Sequence, residues 1–485
     1  MNLLSTPAID RHSWVLAAAA AVLLLIFWSQ ALFVPYWQDD YFYLLDARHA
    51  RLSGESWLAP FFPGEKTNFW RPLGMESYWR FVETVLGGHV VAAHAVNILL
   101  LVASAAAVAW FAATFTRLHA PGKDPLPGGL LAFCLYGVHA SHFLPAAWAA
   151  AANDSIAVFF AALALRFWLV TTTASSDQVG REASLTILCL VLALLSRDSA
   201  VVLPALGLLL TLWLRSRYRP SRTAWVTGGM CLVVTLVWLL LRDHFTTPAD
   251  PAYAMRLGLN VLRNIGALAL FLFNVPFEAL RMFLFVTPSP WYVLWGAAAF
   301  VLQVIACVIL VRSAGEPFGR NGLFMLGAFF VIGCAPYYLL SINCYPYYLS
   351  FGLFAYAIVA NMACLGRRQL ATVMVLTILS SSLATLGNFF LDSPSHIGRA
   401  RWAERQLITL ESLSRTQPEL FAAPLVVVVE DEHRYLGFRS EGIAYRLGVP
   451  LADIVVTESV DSTAVQRPVL VVPEKGNVYF RNAPP

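Results

Sequence analysis

The sequence carries little charge. Charged residues make up 13% of its 485 positions, whereas a soluble globular domain carries about 25%. The formal net charge is only +4, and no run of basic residues of the kind that binds nucleic acid is present. We therefore expect neither an ordinary soluble protein nor a partner made of nucleic acid.

Cysteine is also scarce, and its spacing is uninformative. None of the seven cysteines belongs to a CxxC or Cys/His pattern, so the sequence indicates neither a zinc site nor a disulfide framework. Six of the seven lie inside apolar runs and the seventh ends one, which favours a role as small packing residues. Internal repeats, low-complexity segments and long linkers are likewise missing from the sequence.

Apolar residues are what the sequence has in excess. They make up 58% of the chain, and the mean hydropathy is +0.64. Runs of membrane-spanning character predict an all-α polytopic membrane protein with about 11 transmembrane helices. We interpret the first run as an uncleaved span rather than a signal peptide, because of its length and the many runs after it. The eleven runs are 14–34, 90–116, 129–147, 154–172, 183–195, 199–214, 224–241, 291–311, 322–340, 350–365 and 370–390.

Loop charges give these spans an orientation. Arginines gather in the loops after the sixth, eighth and tenth runs: Arg215, Arg217, Arg219, Arg222, Arg312, Arg320, Arg367 and Arg368. If these loops are cytoplasmic, as the positive-inside rule predicts, the N-terminus is inside and the long loop 35–89 is outside. A long loop of this kind usually carries function.

Two segments fit the simple pattern less well. Residues 257–290 are apolar but interrupted by polar residues, and we favour an amphipathic or re-entrant element there over a further span. Residues 391–485 lose the apolar character and show short β-rich runs at 425–429, 454–456 and 469–472, with a helix turn at 442–447. This predicts a domain of transmembrane helices over 1–390 and a small soluble α/β domain over 391–485, on the outer face.

The acidic pair Asp39-Asp40 follows directly on the first run, between aromatic residues. Carboxylates at the mouth of a membrane span are costly to hold and tend to be functional. In an extended segment the two side chains would point to opposite sides, so one of them would enter a cavity, as a general base or a metal ligand. An incidental acidic loop at the membrane surface is an equally good interpretation.

Arg71 lies in the aromatic sequence Phe69-Trp70-Arg71-Pro72-Leu73 of the same outer loop. The donor fork of a guanidinium matches the oxygens of a phosphate, which favours an anionic lipid headgroup as its partner. A snorkelling arginine at the interface is the alternative.

Further polar residues fall at the same predicted face. His94 and Asn97 are spaced to lie on one face of a helix, and His139 and His142 have the same spacing. For the two histidines, hydrogen-bonded packing is favoured over metal binding. Asn153 and Asp154 begin the fourth apolar run and are good helix caps. Arg197 and Asp198 interrupt the apolar sequence between the fifth and sixth runs. Tyrosines, among them Tyr345 and Tyr347, follow the ninth run. These candidates are His94, Asn97, His139, His142, Asn153, Asp154, Arg197, Asp198, Tyr345 and Tyr347.

In this order, the motifs resemble those of polytopic GT-C glycosyltransferases. The acidic pair, Arg71-Pro72-Leu73 and the segment from His139 to Asp154 are similar in order and spacing to the branch that contains protein O-mannosyltransferases and their bacterial relatives. The resemblance covers about residues 14–390. Two departures are the Arg197-Asp198 pair, where the family often has Lys-Glu, and Cys344, where an arginine would precede a tyrosine.

The resemblance implies a GT-C-like fold and an inverting enzyme that moves a sugar from a polyprenyl-phosphate-linked donor. It implies Asp39 as catalytic base with Asp40 as its rival, and Arg71 and Arg197 as contacts to the donor phosphate. Tyr345 occupies the position of another donor-site motif, together with Tyr347. The expected location is a bacterial inner membrane with the active face in the periplasm.

Several points stay open at this stage. The acceptor is a protein, a lipid or a glycan, and no cofactor is indicated, although a divalent metal at the acidic pair is possible. A transporter or flippase of a lipid or saccharide is the main alternative, but such proteins usually show repeated halves and midplane sites. A non-catalytic membrane scaffold that presents the outer tail is the third.

Overall fold

The computed structural model of the protein describes residues 11–173, 179–247, 253–285, 289–391, 395–421, 425–429, 440–457, 469–472 and 479–481. Helices dominate these ranges. In chain order they are α1 (Arg11–Phe27), α2 (Asp39–Leu52), α3 (Tyr78–Thr84), α4 (Val90–His119), α5 (Pro125–Gly137), α6 (Phe143–Ala147), α7 (Ala152–Thr173), α8 (Val179–Leu194), α9 (Leu203–Leu214), α10 (Arg222–Phe245), α11 (Leu259–Leu272), α12 (Phe277–Phe285), α13 (Pro290–Tyr338), α14 (Leu353–Met362), α15 (Arg367–Phe390), α16 (His396–Thr416) and α17 (Ser440–Leu447).

All eleven predicted apolar runs fall on helices, but fewer of these helices are long enough to cross a membrane. Within the described ranges, six helices have the length and apolar composition of a span, or seven if the bent pair α5 and α6 counts as one. That pair, predicted as a single run, bends by 49° near its middle. The ten residues of α14 rise about 15 Å, half of a hydrocarbon core of about 30 Å. The count of eleven spans therefore stays a prediction.

Basic residues and polar loops mark one end of the helical bundle. Lys123, between α4 and α5, donates to the carbonyl oxygen of Ala363 after α14, at 3.1 Å. Arg217, between α9 and α10, donates to the carbonyl oxygen of His119 at the end of α4. These contacts join three connections at a single end. The same connections carry Arg215, Arg219, Arg222, Arg367 and Arg368.

Between α11 and α12 the chain turns back within the bundle. The turn is made at Asn274, which has a positive φ of 57°. Its side-chain amide donates to Ser381 in α15 at 2.9 Å and to Gln303 in α13 at 3.3 Å. Two short helices joined by a turn between spans fit the re-entrant element predicted for 257–290. The re-entrant element stays a prediction, and residues 286–288 lie outside the described residues.

The C-terminal part carries a four-stranded sheet. Its strands are β1 (Leu425–Val429), β2 (Ile454–Thr457), β3 (Val469–Val472) and β4 (Tyr479–Arg481), in the order β2-β1-β3-β4. Strand β1 is parallel to both neighbours and β3 is antiparallel to β4. The three β-rich runs and the helix turn of the sequence analysis are found here. The sequence analysis missed α16 and β4, and 392–394, 422–424, 430–439, 458–468, 473–478 and 482–485 lie outside the described residues.

Helix α17 fastens this part of the chain to the first outer loop. The guanidinium of Arg48 in α2 lies 3.6 Å from the ring centroid of Tyr445 and donates to its carbonyl oxygen at 2.7 Å. The phenol of Tyr445 donates to the buried Glu83 at 2.9 Å. The C-terminal part thus packs on the helix that begins with the acidic pair, while the domain boundary at 391 stays a prediction.

Candidate functional site

The acidic pair begins a helix, so the prediction of an extended segment at this place is wrong. Gln38 turns the chain with a φ of 51°, and Asp39 and Asp40 occupy the first turn of α2. Negative side chains are favoured there, because the first N–H groups of a helix are unpaired and point toward them. Neighbouring helical residues still diverge, so the two carboxylates have different surroundings.

Asp40 is fully buried and holds two pieces of backbone together. Its Oδ2 accepts the amide of Trp37 at 3.0 Å, and its Oδ1 accepts the amide of Ala150 at 2.8 Å. Burial raises the pKa of Asp40 well above its ordinary value, although both amides act to lower it. A carboxyl group occupied in this way has a structural role at the junction of α2 with the start of α7.

Asp39, the first residue of α2, is less buried than its neighbour Asp40. It is partly exposed, and its charge, acting after burial, raises the pKa of both Tyr43 and Tyr345. Tyr345 stacks on Tyr347, with ring centroids 5.5 Å apart and planes at 9°. Of the two carboxylates, Asp39 is therefore the more exposed one, and its charge acts on aromatic residues of the predicted donor site.

Arg197 is buried, with a neutralising partner. Its Nη1 donates to Asp154 at 2.7 Å and, at 3.4 Å, to Asn153, and its Nε donates to the phenol of Tyr337 at 3.1 Å. The guanidinium also lies 4.6 Å from the ring centroid of Tyr347. Four of the predicted residues meet here, but a direct contact of Arg197 with a phosphate would compete with these bonds and stays a prediction.

Arg71 has a more open setting. Its Nη2 donates to Asp198 at 3.1 Å, and its guanidinium lies 4.4 Å from the ring centroid of Phe69. Arg242, at the end of α10, lies 3.6 Å from the same carboxylate oxygen. The Nε of Arg71 is buried and has no hydrogen-bond partner. Two arginines that share one carboxylate leave a net charge of +1 and an unused donor.

A π-helical turn, Pro72–Ser77, carries the chain onward from Arg71. A Cβ at Gly74 would collide with the carbonyl oxygen of Ser196, so glycine permits this close approach. Met75 accepts a hydrogen bond from Asn153 at 2.8 Å. The turn therefore seats Arg71 against the segments that carry Asp154 and Asp198. Turns of this kind occur often at functional sites.

Glu76 and Arg242 belong to this region, and the sequence analysis missed both. Burial raises the pKa of Glu76 to about 7, and its Oε2 is buried without a partner. A signal for Arg242 was present, since it is a charge placed directly after an apolar run. Glu76 gave no such signal, because only its position in the folded turn distinguishes it from other loop acids.

His94 and Asn97 bind backbone rather than each other. His94 Nδ1 lies 3.2 Å from the carbonyl oxygen of Ala146, and Asn97 donates to that of Pro145 at 3.1 Å. Tyr78 donates to Asn97 at 2.6 Å. Both residues therefore fix helix α4 against the segment before α7.

His139 and His142 are buried, with ring centroids 6.5 Å apart. His139 lies 3.0 Å from the hydroxyl of Ser141 and 3.2 Å from the carbonyl oxygen of Leu272. This geometry agrees with hydrogen-bonded packing. Among the described residues, no group of three or more His, Cys, Asp or Glu side chains is placed to hold a metal ion. All seven cysteines are described, and they are free thiols.

Comparison with solved structures gives the fold. The crystal structure of ArnT from Cupriavidus metallidurans in the apo state matches with a TM-score of 0.50 at 15% sequence identity, over 95% of this chain and 92% of that one. This likeness shows a polytopic helical membrane fold of the GT-C type. It confirms the fold that the motif resemblance predicted.

A second match is the crystal structure of ArnT from the same organism bound to undecaprenyl phosphate, with a TM-score of 0.49 and 14% identity. It covers 96% of this chain and 93% of that one. No protein-family model and no curated protein matches the sequence. The likeness to the apo structure is one of fold alone.

Proposed function

We propose that this protein is a glycosyltransferase that moves a sugar from a polyprenyl-phosphate-linked donor to an acceptor outside the cytoplasm. The observation that carries the proposal is the shared carboxylate of Asp198, which Arg71 and Arg242 approach from two sides. A net positive, partly exposed pair of guanidinium groups fits the phosphate of a lipid. The GT-C-type fold supports the same class of donor.

The placement of the charges supports the outward orientation. The carboxylates of Asp39 and Asp198 lie at the end of the bundle opposite the loops that carry Lys123 and Arg217. Cytoplasmic loops of membrane proteins carry an excess of lysine and arginine. For a bacterial inner membrane, this supports a periplasmic location for Asp39 and Asp198.

The proposed reaction is a single displacement. The acceptor hydroxyl attacks the anomeric carbon of the sugar, and Asp39 takes the hydroxyl proton. As the new C–O bond forms, the bond from that carbon to the phosphate oxygen breaks on the opposite face, which inverts the anomeric centre. Polyprenyl phosphate leaves with the bonding electron pair, and the charge that develops is stabilised by Arg71 and Arg242.

The first test is a donor survey on the purified full-length protein. Undecaprenyl phosphate carrying a radiolabelled hexose, pentose or amino sugar is incubated with the protein and with extracted lipid, glycan and protein acceptors. Loss of label from at least one lipid donor, with its appearance in an acceptor, is expected. If the wild type consumes none of these donors, the proposed function is wrong.

The second test compares the two carboxylates. We expect Asp39→Asn to abolish transfer, while the protein still inserts and unfolds at the wild-type temperature, because only the base is lost. Asp40→Asn should instead lower the thermal unfolding temperature, because asparagine has one acceptor oxygen and leaves the amide of either Trp37 or Ala150 without its partner. Undiminished transfer by Asp39→Asn would overturn the assignment of the base.

A further inference from the structure

We infer that Glu76, together with Tyr43, holds the transferred sugar of the lipid-linked donor. This inference rests on the proposed function and deepens it. It assigns a group that contacts the sugar, in addition to the arginines that contact the phosphate and the base that serves the acceptor. Three features of the structure carry it: the connection between the two elements, the buried oxygen of Glu76 and the length of a sugar phosphate.

Tyr43 and Glu76 come from different elements that pack together. Tyr43 lies one helical turn after Asp39, so the two side chains share a face of α2. The ring of Tyr43 stacks on Trp79, with centroids 6.0 Å apart and planes at 11°. Trp79 follows Glu76 by less than one helical turn in the π-turn and α3 region. The stacking therefore brings the Asp39 face of α2 against the turn that carries Arg71 and Glu76.

Groups from both halves of the proposed chemistry act electrostatically on the phenol of Tyr43. In addition to burial, Asp39 and Glu76 raise its pKa and Arg71 lowers it. In a glycosyl phosphate the sugar is joined directly to the phosphate oxygen. A phosphate on Arg71 and an acceptor proton on Asp39 therefore leave the sugar beside Tyr43 and Glu76.

Glu76 has hydrogen-bonding capacity that the protein leaves unused. Its Oε2 is buried and has no partner, although a buried carboxyl oxygen left unpaired is costly. Hydroxyl groups of a sugar, or an amino group in its place, are donors that such an oxygen accepts. The ring of Tyr43, stacked on Trp79, supplies a rigid aromatic wall. A few polar groups on an aromatic wall are the usual composition of a small-molecule site.

The experiment separates recognition of the sugar from recognition of the lipid phosphate. The probes are the labelled undecaprenyl-phosphate sugar that the wild type transfers and undecaprenyl phosphate without a sugar, used as a competitive inhibitor. For Glu76→Ala we expect kcat/KM to fall about 10- to 100-fold, the range for a hydrogen bond to a charged group. The inhibition constant of the sugar-free lipid should stay at the wild-type value.

Two further variants complete the comparison. Glu76→Gln keeps one carbonyl oxygen and should retain more activity than Glu76→Ala, which also guards against a folding defect of the smaller side chain. Glu65→Gln removes an exposed acid of the same outer loop and should behave like the wild type.

Two results overturn the inference. One is a wild-type kcat/KM for Glu76→Ala, and the other is an equal loss of affinity for the lipid with and without sugar, which would mean that Glu76 only supports Arg71. Failure of the proposed function itself is recognised separately, because the wild type would then transfer no sugar. In that case the inference falls with it.

Discussion

Arg197 and Arg71 are both arginines paired with an aspartate at the same end of the bundle, yet their settings differ. The side chain of Arg197 is 5% exposed and that of its partner Asp154 is 3% exposed, at a distance of 2.7 Å. The side chain of Arg71 is 16% exposed, its partner Asp198 is 25% exposed, and that partner also serves Arg242. One pair is closed and neutral, whereas the other is open and carries an excess positive charge.

The difference teaches which arginine is free to bind a ligand. A buried ion pair with its hydrogen bonds made is strongly destabilised when one partner is lost, because a charge is left unpaired. Arg71 shares Asp198 with Arg242 and has an unused N–H. It is therefore able to bind a further anion while Asp198 keeps Arg242 as its partner. We therefore propose structural support as the role of Arg197 and ligand binding as the role of Arg71, and the following variants test that division.

The largest effect is expected for Arg197→Ala. Loss of the guanidinium leaves Asp154 buried without its counter-charge, which costs about 3–5 kcal/mol. We expect little folded protein in detergent and a strongly lowered unfolding temperature, measured by thermal shift. The double variant Arg197→Ala with Asp154→Ala should recover part of the stability, since the unpaired charge is gone. Wild-type stability of the single variant would contradict a structural role.

Arg71→Ala should act on activity and not on folding. Asp198 keeps Arg242 as a partner, so the unfolding temperature is expected to stay near that of the wild type. Transfer should fall on the order of 100-fold, the scale found when one group that stabilises developing charge is removed. Affinity for sugar-free undecaprenyl phosphate should fall as well. Arg71→Lys, which keeps the charge but loses the fork, is the matched variant and should retain more activity. Unchanged lipid affinity in Arg71→Ala would argue against phosphate binding.

Arg242→Ala should give a smaller loss of transfer, about 10-fold. This arginine lies 3.6 Å from Asp198 and its side chain is 33% exposed, so its charge is better screened by water. Raising the salt concentration should reduce the difference between this variant and the wild type. A loss as large as that of Arg71→Ala would make the two arginines equal ligands.

A third carboxylate gives the smallest expected effect, seen as a pH dependence of stability. Burial would raise the pKa of Glu278, but His396 and Arg281 hold it at about 2, with Nδ1 of His396 at 2.6 Å. A pKa lowered by folding gives stability that is present above the ordinary value of about 4.3 and is lost as the pH falls toward 2.

The measurement is the unfolding temperature of wild type and Glu278→Gln between pH 6 and pH 3. We expect the wild type to lose stability over the acid part of this range, and Glu278→Gln to start lower and change less. Parallel curves for the two proteins would show that Glu278 does not contribute to acid sensitivity.

The order of motifs along the chain was enough to predict the GT-C-type fold. Apolar periodicity marks helices without any tertiary information, since each span must satisfy its own backbone hydrogen bonds. The strands at 425–429 and 469–472 were found for a similar local reason, their runs of β-branched residues. The number of membrane-spanning helices was harder to predict, because composition does not show where a helix such as α14 ends.

The candidate site was predictable in its members more than in their roles. The sequence singled out Arg197 and Asp154, which lie in contact, but gave no means to tell a closed ion pair from an open one. Glu76 looks like any other loop acid in sequence, whereas Arg242 follows an apolar run directly and was open to prediction from that position.

By itself the sequence determined the membrane character, the clustering of polar residues at one end and the acidic pair after the first span. Each of these follows from local composition and from the cost of charge near hydrocarbon. The tertiary structure decided the surroundings of the two carboxylates. Asp40 accepts the amides of Trp37 and Ala150, one of them distant in sequence, whereas Asp39 is partly exposed. Burial and pairing depend on segments far apart in the chain, so only the folded protein divides the pair.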